Sequence, residues 1–349
     1  MNSRELIDKL ELSHSLEENE YIWLLSDNLS SDEAIYLSTR ARKVTDSIFG
    51  RNVRIRGLIE ITNVCRNDCF YCGLRHGNRL LKRYTLSAEQ ILESCSIGHR
   101  IGFRTFVLQG GENPALSADD IAHIVSLIHK RFPDSAITLS LGEWPDKDLK
   151  LFKDAGATRY LLRHETVDSR HYSQLHPRSM SLDNRLRCLS TLKRLGFQTG
   201  TGIMVGSPFQ TLENIASDLE YMSRLQPEMI GIGPFIPHND TPFASYQAGS
   251  IELTLKLISI LRLMFPHANI PSTTALASLA PDGRGRGLLA GANVVMPNLT
   301  VGNYRKQYSL YNNKAAFGAE SAEGLDLLKK ELAALDLIIT TEKGDYSNV

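Results

Sequence analysis

Val53-Arg-Ile-Arg-Gly-Leu-Ile-Glu-Ile61-Thr-Asn-Val-Cys65-Arg-Asn-Asp-Cys69-Phe-Tyr-Cys72-Gly73 is the stretch on which the fold turns. Val53–Ile61 reads as an apolar β-strand, a cysteine-rich loop follows it, and Ser87–Ile101 then carries a helical period opened by the capping box Leu86-Ser-Ala-Glu-Gln90. Strand, loop and helix make one βα unit, and the pattern repeats. Further strands are expected at Thr105–Leu108, Ala136–Leu141, Arg159–Leu162, Gln198–Met204, Met229–Gly233, Asn269–Ser272 and Asn293–Met296. Between them lie helical patterns at Ser117–Arg131, Asp146–Ala155, Leu182–Leu195, Thr211–Leu225 and Leu253–Leu263. Eight strands alternating with helices predict a (β/α)8 TIM-type barrel of the α/β class. A doubly wound open sheet has the same period, so the sequence pattern leaves it as the alternative.

Working outward, residues 1–50 read as an N-terminal helical lead-in, with Ser31-Asp-Glu-Ala-Ile35 as a cap running into an apolar period. Residues 51–349 then form the barrel, ending in an outer helix from about Glu320 to Leu337 and a polar, frayed tail at Thr341–Val349. Of 349 residues, 42% are hydrophobic and 22% charged, enough for a large core and too ordinary for wholesale disorder. Lys plus Arg (39) equals Asp plus Glu (39), which lacks the footprint of a nucleic-acid binder and favours a small substrate or a protein partner. Met1–Asp8 is polar and no apolar run reaches about 18 residues, so a cytoplasmic protein without a membrane segment is expected.

Five cysteines are an odd number in a large chain, a poor disulfide framework. Cys65, Cys69 and Cys72 form a C-x3-C-x2-C spacing on the first βα loop. Thiolates suit iron–sulfur clusters, and a cubane needs four ligands, so three cysteines leave one iron open to a substrate or cofactor. Zinc would need a fourth ligand recruited elsewhere, for example His76. Cys95 and Cys188 sit in helical contexts and read as small buried hydrophobes. One cluster is therefore expected.

If a barrel forms, chemistry collects at the C-terminal strand ends. There stand Gly110-Gly111-Glu112, where the glycines admit close backbone approach and the carboxylate can take an ammonium group. Ser140-Leu-Gly-Glu-Trp-Pro145 follows the third strand. At the fourth, alternation places Arg159, Leu161 and Arg163 on one face, with Arg163 and Glu165 aimed alike; an Arg–Glu pair or a ligand accounts for them. Arg185 stands at a helix start, where the macrodipole does not favour a cation, so it serves a ligand carboxylate or lies exposed. The glycine-rich, apolar run around Met204 suits an adenosine face or a substrate. His238, in a proline-rich loop, reads by default as exposed. Thr273 and Thr274 offer consecutive hydroxyls, and Tyr304 and Tyr308 would close the mouth.

These residues carry a family resemblance. The triplet with Tyr71 before its third cysteine resembles the radical S-adenosylmethionine (SAM) superfamily. Taken with Ser140–Pro145, Arg159–Thr166, Gly231–His238, Asn269–Ala275 and Gly291–Asn298, residues 50–310 are similar to the FeFe-hydrogenase H-cluster maturase HydE family. The resemblance implies one 4Fe-4S cluster on Cys65, Cys69 and Cys72, an open iron that chelates SAM, and reductive cleavage to a 5′-deoxyadenosyl radical. It places Tyr71 near the adenine and Gly110, Gly111, Glu112, Ser140, Arg163, Glu165, Arg185 and Met204 around SAM. Thr273, Thr274, Tyr304 and Tyr308 would line a substrate cavity. The implied substrate is a small molecule, an iron carbonyl cyanide bound to cysteine, and the implied partners are a one-electron reductant and other hydrogenase maturases. Methylornithine synthase and biotin synthase share the barrel and are the alternatives among enzymes, while a non-catalytic protein whose three cysteines form a structural metal site is the alternative outside them. Many relatives hold a second cluster on C-terminal cysteines; here no cysteine follows Cys188.

Overall fold

All eight expected strands enter one closed parallel ring in the computed structural model, which describes residues 2–315 and 318–346. In chain order, β1 (Asn52–Ile55) and β2 (Gly57–Thr62) are two halves of the first strand, broken at Arg56. Then come α4 (Ala88–Arg100), β3 (Thr105–Gly110), α5 (Ala118–Arg131), β4 (Ala136–Ser140), α6 (Asp146–Asp154), β5 (Arg159–Leu161), α7 (Ser169–Leu175) and α8 (Leu182–Arg194). The fifth strand splits into β6 (Gln198–Thr201) and β7 (Met204–Val205) before α9 (Leu212–Leu225), and the sixth into β8 (Met229–Ile230) and β9 (Gly233–Pro234) before α10 (Ile251–Met264). The last unit holds α11 (Thr274–Leu279), α12 (Gly283–Leu289), β10 (Val294–Val295), α13 (Leu325–Ala333) and β11 (Ile338–Thr340). Three N-terminal helices, α1 (Ser3–Ser13), α2 (Glu18–Leu25) and α3 (Ser31–Phe49), precede them all.

Six strands run β2-β3-β4-β5-β6-β8 in parallel register. The bridges Met229↔Asn269, Pro271↔Val294 and Leu58↔Asn298, with the pair Arg54↔Val294, carry the ladder back to the first strand. Closure rules out the open doubly wound sheet, since a closed ring has no edge. The seventh strand, expected at Asn269–Ser272, is reduced to isolated bridges, because Pro271 has no N–H to donate to a ladder.

Helix starts follow the local chemistry. Ser87, Ser117 and Thr211 each accept from the N–H three residues on while that residue's side chain reaches back, forming the reciprocal cap that fixes α4, α5 and α9. The lead-in helices share the barrel's core through Leu6, Leu10, Leu24 and Leu37, and Nδ1 of His14 lies 2.7 Å from the Leu263 carbonyl. Among the described residues no helix is long and apolar enough to cross a membrane.

The expected outer helix near the C-terminus is present as α13, shorter than expected, but the tail beyond it departs from the expected fraying. After α13 the chain forms β11, which pairs with the bottom of β1 at Asn52↔Ile338. Residues 341–346 then cap the barrel floor, where Arg159, fully buried, donates to the Lys343 carbonyl (2.9 Å) and to Asp345 (2.7 Å). An otherwise unpaired guanidinium inside the barrel draws the tail in. Residues 347–349 of the expected tail lie outside the described residues.

Candidate active site

The cysteine loop is held at the C-terminal mouth by its neighbours. Arg66 donates its N–H to the Glu112 carbonyl (2.9 Å), and Phe70 donates to that of Leu175 (3.0 Å). Arg83 clamps the loop from below, donating to the carbonyls of Asn63 (2.6 Å), Leu74 (2.8 Å), Arg75 (2.7 Å) and Asn78 (3.0 Å). Gly111 must be glycine, for a Cβ there would meet the Val64 carbonyl at 2.4 Å and Cys65 Cβ at 2.7 Å. The second strand's end and the loop are thus one packed unit.

All three thiols are half-buried. Burial raises Cys65 above the usual thiol range; burial and Cys72 raise Cys69 well above it; burial and Cys65 push Cys72 up to about 12. Thiols held so firmly in the protonated form become ligands only by giving up their protons to a metal centre. Among the described residues no three His, Cys, Asp or Glu side chains converge on one point, as a single ion would require. His76, the conceivable fourth zinc ligand, is exposed, and its N–H bonds the Asn67 carbonyl (2.8 Å). Three thiolates on one loop beside an open cavity fit a cluster with one free corner.

That cavity, about 360 Å³, runs from Tyr71 and Cys72 into the barrel. Gly110, Ser140, Arg163, Glu165, Arg185 and Met204 line it, so most residues expected around SAM come together. Arg163 Nη2 lies 3.0 Å from Glu165 Oε1, while Glu165 Oε2 is buried without a hydrogen-bond partner. Glu165 also holds φ +66°. Arg185, expected either at a ligand or exposed, is buried, pairs with Glu143 at 2.8 Å and donates to the Arg163 carbonyl (2.9 Å). Burial opposes its charge, but Glu143, Tyr172 and Tyr71 outweigh that and hold it above the usual range.

An orphaned buried carboxylate oxygen beside two guanidinium groups is what the ammonium and carboxylate of an amino acid would complete. Met204 and the Tyr71 ring supply an apolar flank, so the residues fit SAM as well as the cluster. Glu112 is placed differently from the expectation that it grips the ammonium. Its carboxylate accepts from Arg66 (3.0 Å) and from the Glu143 N–H (3.1 Å), packed against Gly142, where a Cβ would meet Glu112 Cγ at 2.2 Å. Only the strand-end backbone beside it faces the cavity.

Toward the interior, Thr273, Thr274 and Tyr308 line the same space. Thr273 Oγ1 has no hydrogen-bond partner, whereas Thr274 donates to Glu320 at 2.7 Å. Tyr304 must be corrected. It lies outside the cavity, tilted against Tyr84 with ring centroids 4.8 Å apart and accepting from Gln90 (3.3 Å), because the turn Gly302–Gln307 aims it at α4. His238 is also corrected: it is buried, with Nε2 3.0 Å from Ser309 Oγ.

Sequence reading missed three contributors. Arg56, buried at the floor, has unpartnered Nε and Nη2, and its Nη1 lies 3.0 Å from Met229 Sδ. Lys314 lines the cavity and pairs with the buried Glu60. His176 meets the Tyr71 hydroxyl at 3.2 Å, and burial with the nearby Arg185 lowers it to about 3, so it is neutral. The break of the first strand at Arg56 could have flagged the first; the others are long-range meetings with no local signal. Cys95 and Cys188 are buried as expected.

Comparison with known proteins agrees with this geometry. The family model described as the radical SAM superfamily matches residues 59–222. The chain is 44% identical, over 90% of its length and 89% of the relative's, to the [FeFe] hydrogenase maturase subunit HydE of Thermotoga maritima. It is 32% identical over 82% of its length and 81% of the relative's to a 3-methylornithine synthase of Methanosarcina barkeri. The crystal structure of a methylornithine synthase superposes with a TM-score of 0.84 at 28% identity, covering 96% of this chain and 97% of that one.

Proposed function

The chain belongs to the HydE family of the radical SAM superfamily, and from that premise we propose that it works in FeFe-hydrogenase maturation on a cysteine-bound iron carbonyl cyanide precursor. It is a radical SAM enzyme with a 4Fe-4S cluster and SAM as cofactors. The observation that carries the proposal is the shared cavity, which joins the cysteine loop, the Arg163–Glu165 pair and, deeper in the barrel, a mainly apolar space with Arg56, Thr273 and Tyr308 on its walls.

Cys65, Cys69 and Cys72 would hold the cluster, which would supply the electron for reductive cleavage of SAM. The chain's residues do the positioning. Glu165 Oε2 takes the SAM ammonium; Arg163 and Arg185 set the carboxylate end; Ser140, Tyr71 and Met204 hold the adenosine. Gly110 and Gly111 bring the backbone close, and Glu112 fixes Arg66 over the loop. Below, the free N–H groups of Arg56 and the hydroxyls of Thr273 and Tyr308 suit the acceptor atoms of cyanide and carboxylate groups. The apolar walls exclude water from the radical.

Residues 51–349 are the catalytic unit in this reading, with 1–50 as a helical extension. A cytoplasmic setting, a small or small organometallic substrate, a one-electron reductant and hand-over to other maturases complete it, with no nucleic acid or membrane involved. The test is anaerobic reconstitution with iron and sulfide. A brown protein whose reduced EPR signal changes on adding SAM is expected, with 5′-deoxyadenosine formation abolished in Cys69→Ala. A colourless zinc protein, or 5′-deoxyadenosine still formed by that variant, overturns the assignment. The likeness to methylornithine synthases supports a second reading, rearrangement of a small carbon substrate. Formation of 3-methylornithine by the reconstituted enzyme would decide for it.

A further inference from the structure

Each SAM cleavage consumes one electron from outside, and electron transfer falls off steeply with distance, so the donor must dock on the surface nearest the cysteine loop. We propose that this docking surface is the loop Arg75–Arg83 together with the segment Pro177–Met180, and that it receives an acidic electron-carrier protein. The inference rests on the radical SAM reading above and adds to it the identity of the redox face.

Two stretches flank the cysteines directly. On one side His76 N–H bonds the Asn67 carbonyl (2.8 Å), Gly77 N–H bonds Asp68 (2.8 Å), and Arg75 pairs with Asp68 (2.5 Å), which seats the following loop on Arg66–Asp68. On the other, Phe70 N–H bonds the Leu175 carbonyl (3.0 Å), and Met180 Sδ lies 3.6 Å from Cys69 Sγ. A carrier resting on either stretch is one side-chain layer from a cluster ligand.

Charge then selects the partner. Residues 64–83 hold five cations, Arg66, Arg75, Arg79, Lys82 and Arg83, against the single carboxylate Asp68, a local excess in a chain where 39 cations balance 39 carboxylates. Arg75 is neutralised by Asp68 and Arg83 is spent on the loop's carbonyls. Arg79 and Lys82, and Arg178 on the other flank, are free of the ion pairs that hold Arg75, and the exposed carboxylate nearest in sequence on that flank is Asp183. Between Arg79 and Lys82 in the sequence, Leu80 stands 81% exposed. An exposed apolar residue flanked by charges of one sign suits a small, transient, electrostatically steered interface. Its complement is a negatively charged protein surface.

The test compares electron sources by 5′-deoxyadenosine formation in the reconstituted enzyme and in the triple variant Arg79→Glu/Lys82→Glu/Arg178→Glu. The sources are an acidic plant-type ferredoxin kept reduced by NADPH and its reductase, the cationic methyl viologen, and dithionite. Wild type should be driven by ferredoxin with a rate that falls as salt rises, and the variant should lose about tenfold or more of that rate, mainly as a higher KM for ferredoxin. Its dithionite rate should stay within about twofold. Equal loss with dithionite, an unchanged ferredoxin rate, or a wild type driven by viologen but not by ferredoxin would each overturn the docking proposal. Failure of wild type with dithionite would instead count against the radical SAM reading itself.

Discussion

Glu165 shows what a single residue is asked to do at this site. Its φ of +66° costs a residue with a Cβ on the order of 1–3 kcal/mol, and surrounding structure must enforce it. Glu165 donates its N–H to the Gly202 carbonyl (3.1 Å), His164 Nδ1 meets Thr201 Oγ1 (2.8 Å), and Val167 N–H bonds Asp218 (2.7 Å). That frame presents one carboxylate oxygen to Arg163 and leaves the other free in the cavity. Replacing Glu165 by Gln keeps the shape and removes the charge, so SAM binding should weaken by roughly 10–100-fold, the worth of a charge-assisted hydrogen bond of about 1.5–3 kcal/mol. The EPR signal of the reduced cluster without SAM should not change. Calorimetric titration giving a SAM Kd within about twofold of wild type would remove Glu165 from the site. Arg163 and Glu165 were legible in the sequence as charges at a strand end, although both lie beyond β5 and strand alternation does not reach them. Tyr304 was not placed correctly, because which way a tyrosine turns from a short 3-10 segment depends on Tyr84 and Gln90, far away in the chain.

Among the elements, α7 and its C-terminal cap carry a pH dependence that the sequence did not announce. His171 and His176 are both buried; burial lowers His171, and burial with Arg185 lowers His176 to about 3, against about 6.5 for an unfolded histidine. Folded, they stay neutral, while in the opened segment they take protons below about 6.5. Their stabilisation is therefore complete above about pH 6.5 and drains away as pH falls below it, for His176 down to about 3. Amide exchange in residues 168–180, corrected for the chemical rate, should accelerate between about pH 6.5 and 5 relative to α5, and a His176→Gln variant should show less of this. Equal pH dependence in α7 and α5 would refute it. The capped helices α4, α5 and α9 were readable because a reciprocal cap is written within four residues. The seventh strand was readable only as a position: its apolar run is there, but Pro271 thins its pairing to bridges.

At the scale of the whole molecule, the barrel has a working end and a sealed end. The cysteine loop and cavity occupy the C-terminal strand ends, whereas the opposite end is closed by a part of the chain expected to fray. Thr105, which begins β3, donates its hydroxyl to the Lys343 carbonyl (2.8 Å), and Arg159, which begins β5, reaches both that carbonyl and Asp345. The sequence marked Arg159 as inward-facing; that its partner is the polar tail could not be read locally, since the two are 186 residues apart. Ending the chain after Thr340 would leave a fully buried guanidinium facing an open floor. Because Asp345 is half-exposed, the loss is discounted to roughly 1–3 kcal/mol, which for a chain of this length lowers Tm by a few degrees. SAM cleavage at about 25 °C by the truncated enzyme should stay within about twofold of the full chain, since the missing contacts lie at the far end from the cysteines. Adding Arg159→Met to the truncation should recover part of the lost Tm, because an apolar side chain needs no partner there. A truncated protein as stable as the full chain would mean that the tail only lies against the barrel, and Arg159 would then need another source of compensation.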